Sequence, residues 1–105
     1  MSEWLLLSGG MDSAAIAAWR RPARCVFIDY GQRPAAGEER AAGAVTDALG
    51  LALTVVHADC SAVGAGALAA RPPAAHSPSA EWWPFRNQLL VTLGGALAVR
   101  DGATA

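Results

Sequence analysis

Short apolar runs alternate with helical periodicity along the first 60 residues. Trp4 to Leu7 is a continuous apolar run closed by glycines, which predicts a buried strand. Residues 13–20, "SAAIAAWR", predict a helix capped by Asp12 or Ser13 and ended by Arg21-Pro22. "CVFID" at 25–29 is β-branched and apolar and predicts a second buried strand. "YGQRP" punctuates a loop. Ala41, Ala44, Val45, Ala48 and Leu49 recur at helical spacing and predict the inner face of a second helix, with Gly50 as its stop. "LALTVVHAD" at 51–59 predicts a third strand. This order predicts βαβ units with right-handed crossovers: an α/β fold with a parallel sheet and flanking helices.

The pattern weakens over residues 60–80, which are small and Pro-rich and predict a loop with one short helix. It returns in the stretch "EWWPFRNQLLVTLGGALAVRDG". There Leu89, Leu90, Leu93, Leu97 and Ala98 make an apolar helical face, and Pro84 suits a helix start. Gly94 and Gly95 inside this helix cost about 1 kcal/mol each against Ala, so a close approach to a neighbour is expected there. "GATA" falls where a fourth strand is expected to begin. In an open doubly wound sheet the first strand is internal, so three strands leave it one neighbour short. A homodimer partner or a further C-terminal portion is expected to cover it.

Composition narrows the chemistry. The 105 residues suit one domain, and 53% hydrophobic content with 16% charged supports a packed core. A net charge of -1 speaks against general nucleic-acid binding. All eight basic residues are Arg, which excludes Schiff-base lysine chemistry and a Walker-type phosphate lysine within this chain. No window reads as a membrane span or secretion signal, and Cys25 and Cys60 form neither a CxxC site nor a disulfide framework, so a cytoplasmic protein is expected. Cys25 and Cys60 are expected in the core. His57 and His76 are expected to have no metal role, and Glu38 and Glu39 to lie on an exposed helix face.

The candidate chemistry begins at "SGGMDS", residues 8–13. Glycines let backbone N–H groups form an anion nest at the positive end of the following helix, and Ser8 and Ser13 add hydroxyls. Asp12 beside an anion makes sense only if it accepts from the nest or reaches a Mg²⁺. The plain alternative is a turn with a helix cap. "YGQR" ends the second strand on the same sheet edge, where Arg33 offers a cation, Gln32 an amide and Tyr30 a ring, against the alternative of a solvated turn. "WWPFRN" brings Arg86 and Asn87 to the last helix's first turn, and Trp82 and Trp83 either stack on a ring or anchor the helix entry.

SGGxDS after the first strand resembles the pyrophosphate loop of ATP pyrophosphatases such as GMP, NAD and asparagine synthetases, tRNA-thiolation enzymes and QueC-type 7-cyano-7-deazaguanine synthases. "FIDYGQR" at 27–33 resembles the QueC-type FDYGQRH, "WPFRNQLLVTLGGALAVRDGA" resembles VPARNTIFLSIALAYAEALGA, and "DALGL" sits at the family's ALGV-like helix end. The resemblance runs through the whole chain in order. It implies a Rossmann-like, adenine nucleotide alpha hydrolase-like sheet, incomplete at its C-terminus. Residues 1–105 would then be the ATP-binding, N-terminal portion of a longer domain.

The resemblance also implies adenylation of 7-carboxy-7-deazaguanine by ATP with Mg²⁺, then reaction with ammonia to the amide and dehydration to the nitrile. By position, Ser8, Gly9, Gly10, Asp12 and Ser13 would hold ATP, with Leu7 and Met11 lining its entry. Asp12, Arg33 and Arg86 would be catalytic, and Tyr30, Gln32, Arg33, Trp83, Arg86 and Asn87 would contact the deazapurine. Pro34 replaces the family's His, and the family's following Glu falls on Gly37, with Glu38 and Glu39 displaced. The family's C-terminal zinc cluster has no counterpart in these residues, so zinc is expected only with cysteines outside this chain. Two other readings share the loop: a QueC-like enzyme of antiphage defence that attaches a deazaguanine group to protein, and a non-catalytic ATP-binding module.

Overall fold

A computed structural model of the chain describes residues 2–8, 10–64 and 85–104. The elements run β1 (Trp4–Leu6), α1 (Met11–Arg20), β2 (Arg24–Asp29), α2 (Ala35–Leu49), β3 (Leu53–His57), a 3₁₀ turn (Ser61–Val63) and α3 (Arg86–Arg100). The strands form one parallel sheet in the order β1-β2-β3. This is the Rossmann-like α/β arrangement that the alternating pattern predicts.

Strand alternation divides the core between two faces. Cys25 and Phe27 of β2 join Leu7, Ala17 and Ala42 under α1 and α2. Val26, Ile28 and Tyr30 face the other way, where Leu89, Leu90, Leu93 and Leu97 of α3 cover them. β2 is buried on both faces, so it reads in sequence as an uninterrupted apolar run. Burial pushes the Cys25 thiol above its ordinary pKa, which suits a small core residue.

The helix boundaries follow local chemistry. Arg21 takes the left-handed conformation at the end of α1, with Pro22 next, and Gly50 does the same for α2 at φ 69°. The buried stripe of α2 differs from expectation: Ala35, Ala42 and Thr46 are buried, while Ala44 and Ala48 are exposed. An Ala- and Gly-rich helix has little apolar contrast, and Thr46 buries readily because its hydroxyl donates to Ala42 O at 3.0 Å.

Gly94 meets the predicted close approach. A Cβ there would stand 2.7 Å from Leu6 Cδ2, so α3 lies almost on β1. Gly95 has no described atom within 4 Å of its Cβ position, and helix–sheet packing does not account for it. α3 starts at Arg86, with Phe85 as its left-handed N-cap at φ 57°. Pro84, the tryptophans at 82 and 83, His76 and most of the stretch 60–80 lie outside the described residues.

β1 is an edge strand among the described residues. Glu3 O and Leu7 N bond to Ala23 and Val26 on the β2 side. Alternation therefore turns the polar groups of Ser2, Trp4 and Leu6 to the open edge. Thr104 has already reached that edge: its N–H donates to Ser2 O at 2.9 Å, and Ser2 N–H donates to Thr104 Oγ1 at 2.8 Å. No described helix is long and apolar enough to cross a membrane.

Candidate functional site

The loop after β1 draws Ser8 and Ser13 together. Their hydroxyl oxygens are 3.0 Å apart, and Ser8 N–H donates to Ser13 Oγ at 3.2 Å. Gly10 N–H donates to Ser8 Oγ at 3.3 Å, and Ser13 Oγ donates back to Gly10 O at 3.2 Å. Neither Asp12 nor Ser13 caps α1. The N-cap is Gly10, with no side-chain cap, and the Ser13 hydroxyl turns into the loop instead. Ala14 N–H bonds back to Gly10 O at 3.1 Å, so the N–H groups of the preceding turn lie at the loop. Two hydroxyls and a helix N-terminus thus converge on one exposed spot suited to an anion. Asp12 is exposed in the first turn and bonds to no described residue, while Met11 is 88% exposed at the loop's outer side. Gly9 lies outside the described residues.

The turn after β2 is built on Gly31 and Gln32. Gly31 has φ 92°, and a Cβ there would sit 2.6 Å from Asp59 Oδ1, so both conformation and space demand glycine. Gln32 is buried and braces the turn. Its Oε1 accepts from Tyr30 N–H at 2.8 Å, and its Nε2 donates to Ile28 O at 3.2 Å and Glu38 Oε1 at 3.1 Å. Arg33 is exposed in this turn.

A cleft of about 350 Å³ opens at the carboxyl ends of β1 and β2, where such sheets bind ligands. Leu7, Ser8, Tyr30, Gln32, Arg86 and Asn87 all line it, so the three sequence stretches meet in one place. Arg33 and Asp12 are not part of that lining. Burial raises the Tyr30 phenol above its ordinary pKa; the charge of Arg86 and its hydrogen bond to the phenol partly offset this, while Glu38 adds to the rise.

Glu38 also lines the cleft, contrary to the expectation of an exposed face. It belongs to the first turn of α2, close behind the YGQR turn, where Gln32 holds it. An acid in a helix's first turn, just after a ligand-facing strand end, was the available signal. His57 has acidic company that its neighbours in sequence do not show. Asp29, Glu39 and His57 bring ligand-type atoms within 4.8 Å of one another, with His57 Nδ1 3.4 Å from Asp29 Oδ2. The register pairs Asp29 with His57, so strands far apart in sequence build this group.

Comparisons with known proteins place the chain in a family. The family model for "Queuosine biosynthesis protein QueC" matches residues 3–105. A 7-cyano-7-deazaguanine synthase of Methanopyrus kandleri is 35% identical, over 89% of this chain and 45% of its own length. A 7-cyano-7-deazaguanine synthase of Anaeromyxobacter sp. (strain Fw109-5) is 38% identical, over 94% of this chain and 48% of its own length. The chain therefore spans about half the length of these curated relatives. No solved structure matches significantly. A family match over nearly the whole chain and two relatives of one name show that the chain belongs to the QueC family.

Proposed function

We propose that this chain carries the ATP-binding part of a ligase that adenylates 7-carboxy-7-deazaguanine and, with ammonia, converts it to 7-cyano-7-deazaguanine. The observation that carries the reading is the shared cleft: Ser8 of the glycine loop lines the same space as Tyr30, Arg86 and Asn87. The names of the two relatives point to the same product.

The substrate carboxylate attacks the α-phosphorus of ATP and pyrophosphate leaves. Charge grows on the departing oxygens, and fixed donors there lower the barrier. Ser8 and Ser13 hydroxyls, with the N–H groups of Gly9, Gly10 and the first turn of α1, would receive the pyrophosphate. Arg86 would neutralise the reacting carboxylate and phosphate inside the cleft. Ammonia then attacks the acyl adenylate, releasing AMP and leaving the amide. A second ATP activates the amide oxygen, and loss of AMP leaves the nitrile.

The exposed Asp12 carboxylate, bonded to no described residue, fits a Mg²⁺ that travels with ATP. Bound there, the ion would screen phosphate charge. Tyr30, Gln32, Asn87 and Trp83 would contact the deazapurine, with the Gln32 amide acting mainly through the groups it braces. Arg33 would be available to substrate only from outside the cleft lining.

Release of AMP and pyrophosphate, measured with and without 7-carboxy-7-deazaguanine, tests the reading. Acid-dependent AMP release that disappears in Asp12→Ala is expected. Unchanged turnover in that variant overturns it. Activation of the acid with no free nitrile product would instead point to a protein acceptor, and ATP binding without AMP release to a module without catalysis.

A further inference from the structure

Glu38 is the one carboxylate in the cleft lining among the described residues. Its Oε1 accepts from Gln32 Nε2 at 3.1 Å. Gln32 is itself fixed by Tyr30 N–H and Ile28 O, so a buried amide orients the carboxylate. Oε1 keeps a second lone pair, and Oε2 bonds to no described residue. Across the cleft, Arg86, Asn87 and Ser8 supply donors, and the Tyr30 phenol and the Gln32 amide complete its polar lining. The lining thus sets an acceptor-only group at the start of α2 against donors on the β1 loop and α3.

We propose that Glu38 selects the substrate by its guanine-type edge, accepting hydrogen bonds from the ring N1–H and the exocyclic 2-amino group; this rests on the proposed function. Two neighbouring N–H donors match the two oxygens of a carboxylate. The substrate's own acid lies on the five-membered ring, away from that edge, and is left to the donors around Ser8 and Arg86. An adenine edge presents a bare ring nitrogen acceptor at the corresponding position, which a carboxylate repels. Glu38 therefore also keeps the adenine of ATP out of the deazapurine's place.

The test is acid-dependent AMP release with two acids, 7-carboxy-7-deazaguanine and the analogue lacking the 2-amino group. The wild type prefers the amino-bearing acid by about 10- to 100-fold in kcat/KM, the span of one charged hydrogen bond. Glu38→Gln retains an oxygen for Gln32 but loses the charge and one acceptor. Its preference falls to about 3-fold or less, with a raised KM for the acid and an unchanged KM for ATP. A purely structural Glu38 would change both acids alike and leave the ratio intact. A wild-type ratio in Glu38→Gln, or a wild type indifferent to the 2-amino group, overturns the inference. Should Glu38→Gln fail to fold, Glu38→Asp gives the same readout: a ratio reduced several-fold supports the role, and an intact ratio overturns it. A wild type that releases no AMP with either acid overturns the proposed function itself, and this inference with it.

Discussion

Gln32 Nε2 donates to Glu38 Oε1 at 3.1 Å, tying the turn after β2 to the first turn of α2. The same amide also satisfies Tyr30 N–H and Ile28 O, both on buried residues. Gln32→Leu would strand those two backbone groups, and each buried unsatisfied group costs about 1–3 kcal/mol. A loss of about 2–4 kcal/mol in urea denaturation is expected. A loss below about 0.5 kcal/mol would show that water replaces the amide.

Tyr30 is the only tyrosine, so its ionisation can be followed alone by tyrosinate absorbance. Its phenol titrates above the ordinary value of 10.0, first because of burial. The folded state holds this proton more tightly than the unfolded state. The resulting stability is full below about pH 10 and is lost as pH rises through the folded pKa. Arg86→Gln removes the charge and hydrogen bond that lower the pKa, so the titration should move further up. A downward move would contradict the contact.

The two neighbouring glycines of α3 should respond with opposite signs. Gly94→Ala forces a Cβ to within 2.7 Å of Leu6 Cδ2 and should cost about 1–3 kcal/mol. Gly95→Ala meets no described atom and should stabilise by about 0.5–1 kcal/mol through helix propensity. Thermal melts of the pair check this, and equal effects would refute the packing.

Gly31→Ala should be the most damaging single methyl. It combines φ 92° with a Cβ 2.6 Å from Asp59 Oδ1. Strain of this kind costs about 1–3 kcal/mol before the clash is added. Hydrogen bonds from Ser61, first from its side chain and then from its N–H at 2.9 Å, lower the Asp59 pKa and resist its displacement. The variant should lose stability and acid-dependent AMP release together.

Ser13→Ala separates ligand binding from folding. Among the described residues Ser13 bonds only within an exposed loop, so stability should change by less than about 1 kcal/mol. Acid-dependent AMP release should fall about 100-fold, the usual effect of removing one donor from a developing anion. A fall of less than 3-fold would remove Ser13 from the proposed pyrophosphate site.

Most of the fold was legible because hydrophobic patterning and turn residues are local signals. Trp4–Leu7, "CVFID" and "LALTVVHAD" announce their strands, Arg21-Pro22 and Gly50 their helix ends, and "SGGMDS" its loop. Gly94 was legible as a close approach, but its partner Leu6 was not. Sequence spacing says nothing of which side chains from separate elements share a space. Tertiary packing decided that Glu38 turns into the cleft, that Gln32 spends its amide on the backbone, and that Arg33 stays outside the lining. Strand register decided that His57 stands beside Asp29. The physical reason is range: turns and helix ends are set by residues a few positions apart, whereas a site is set by how the sheet pairs and which helix faces pack on it.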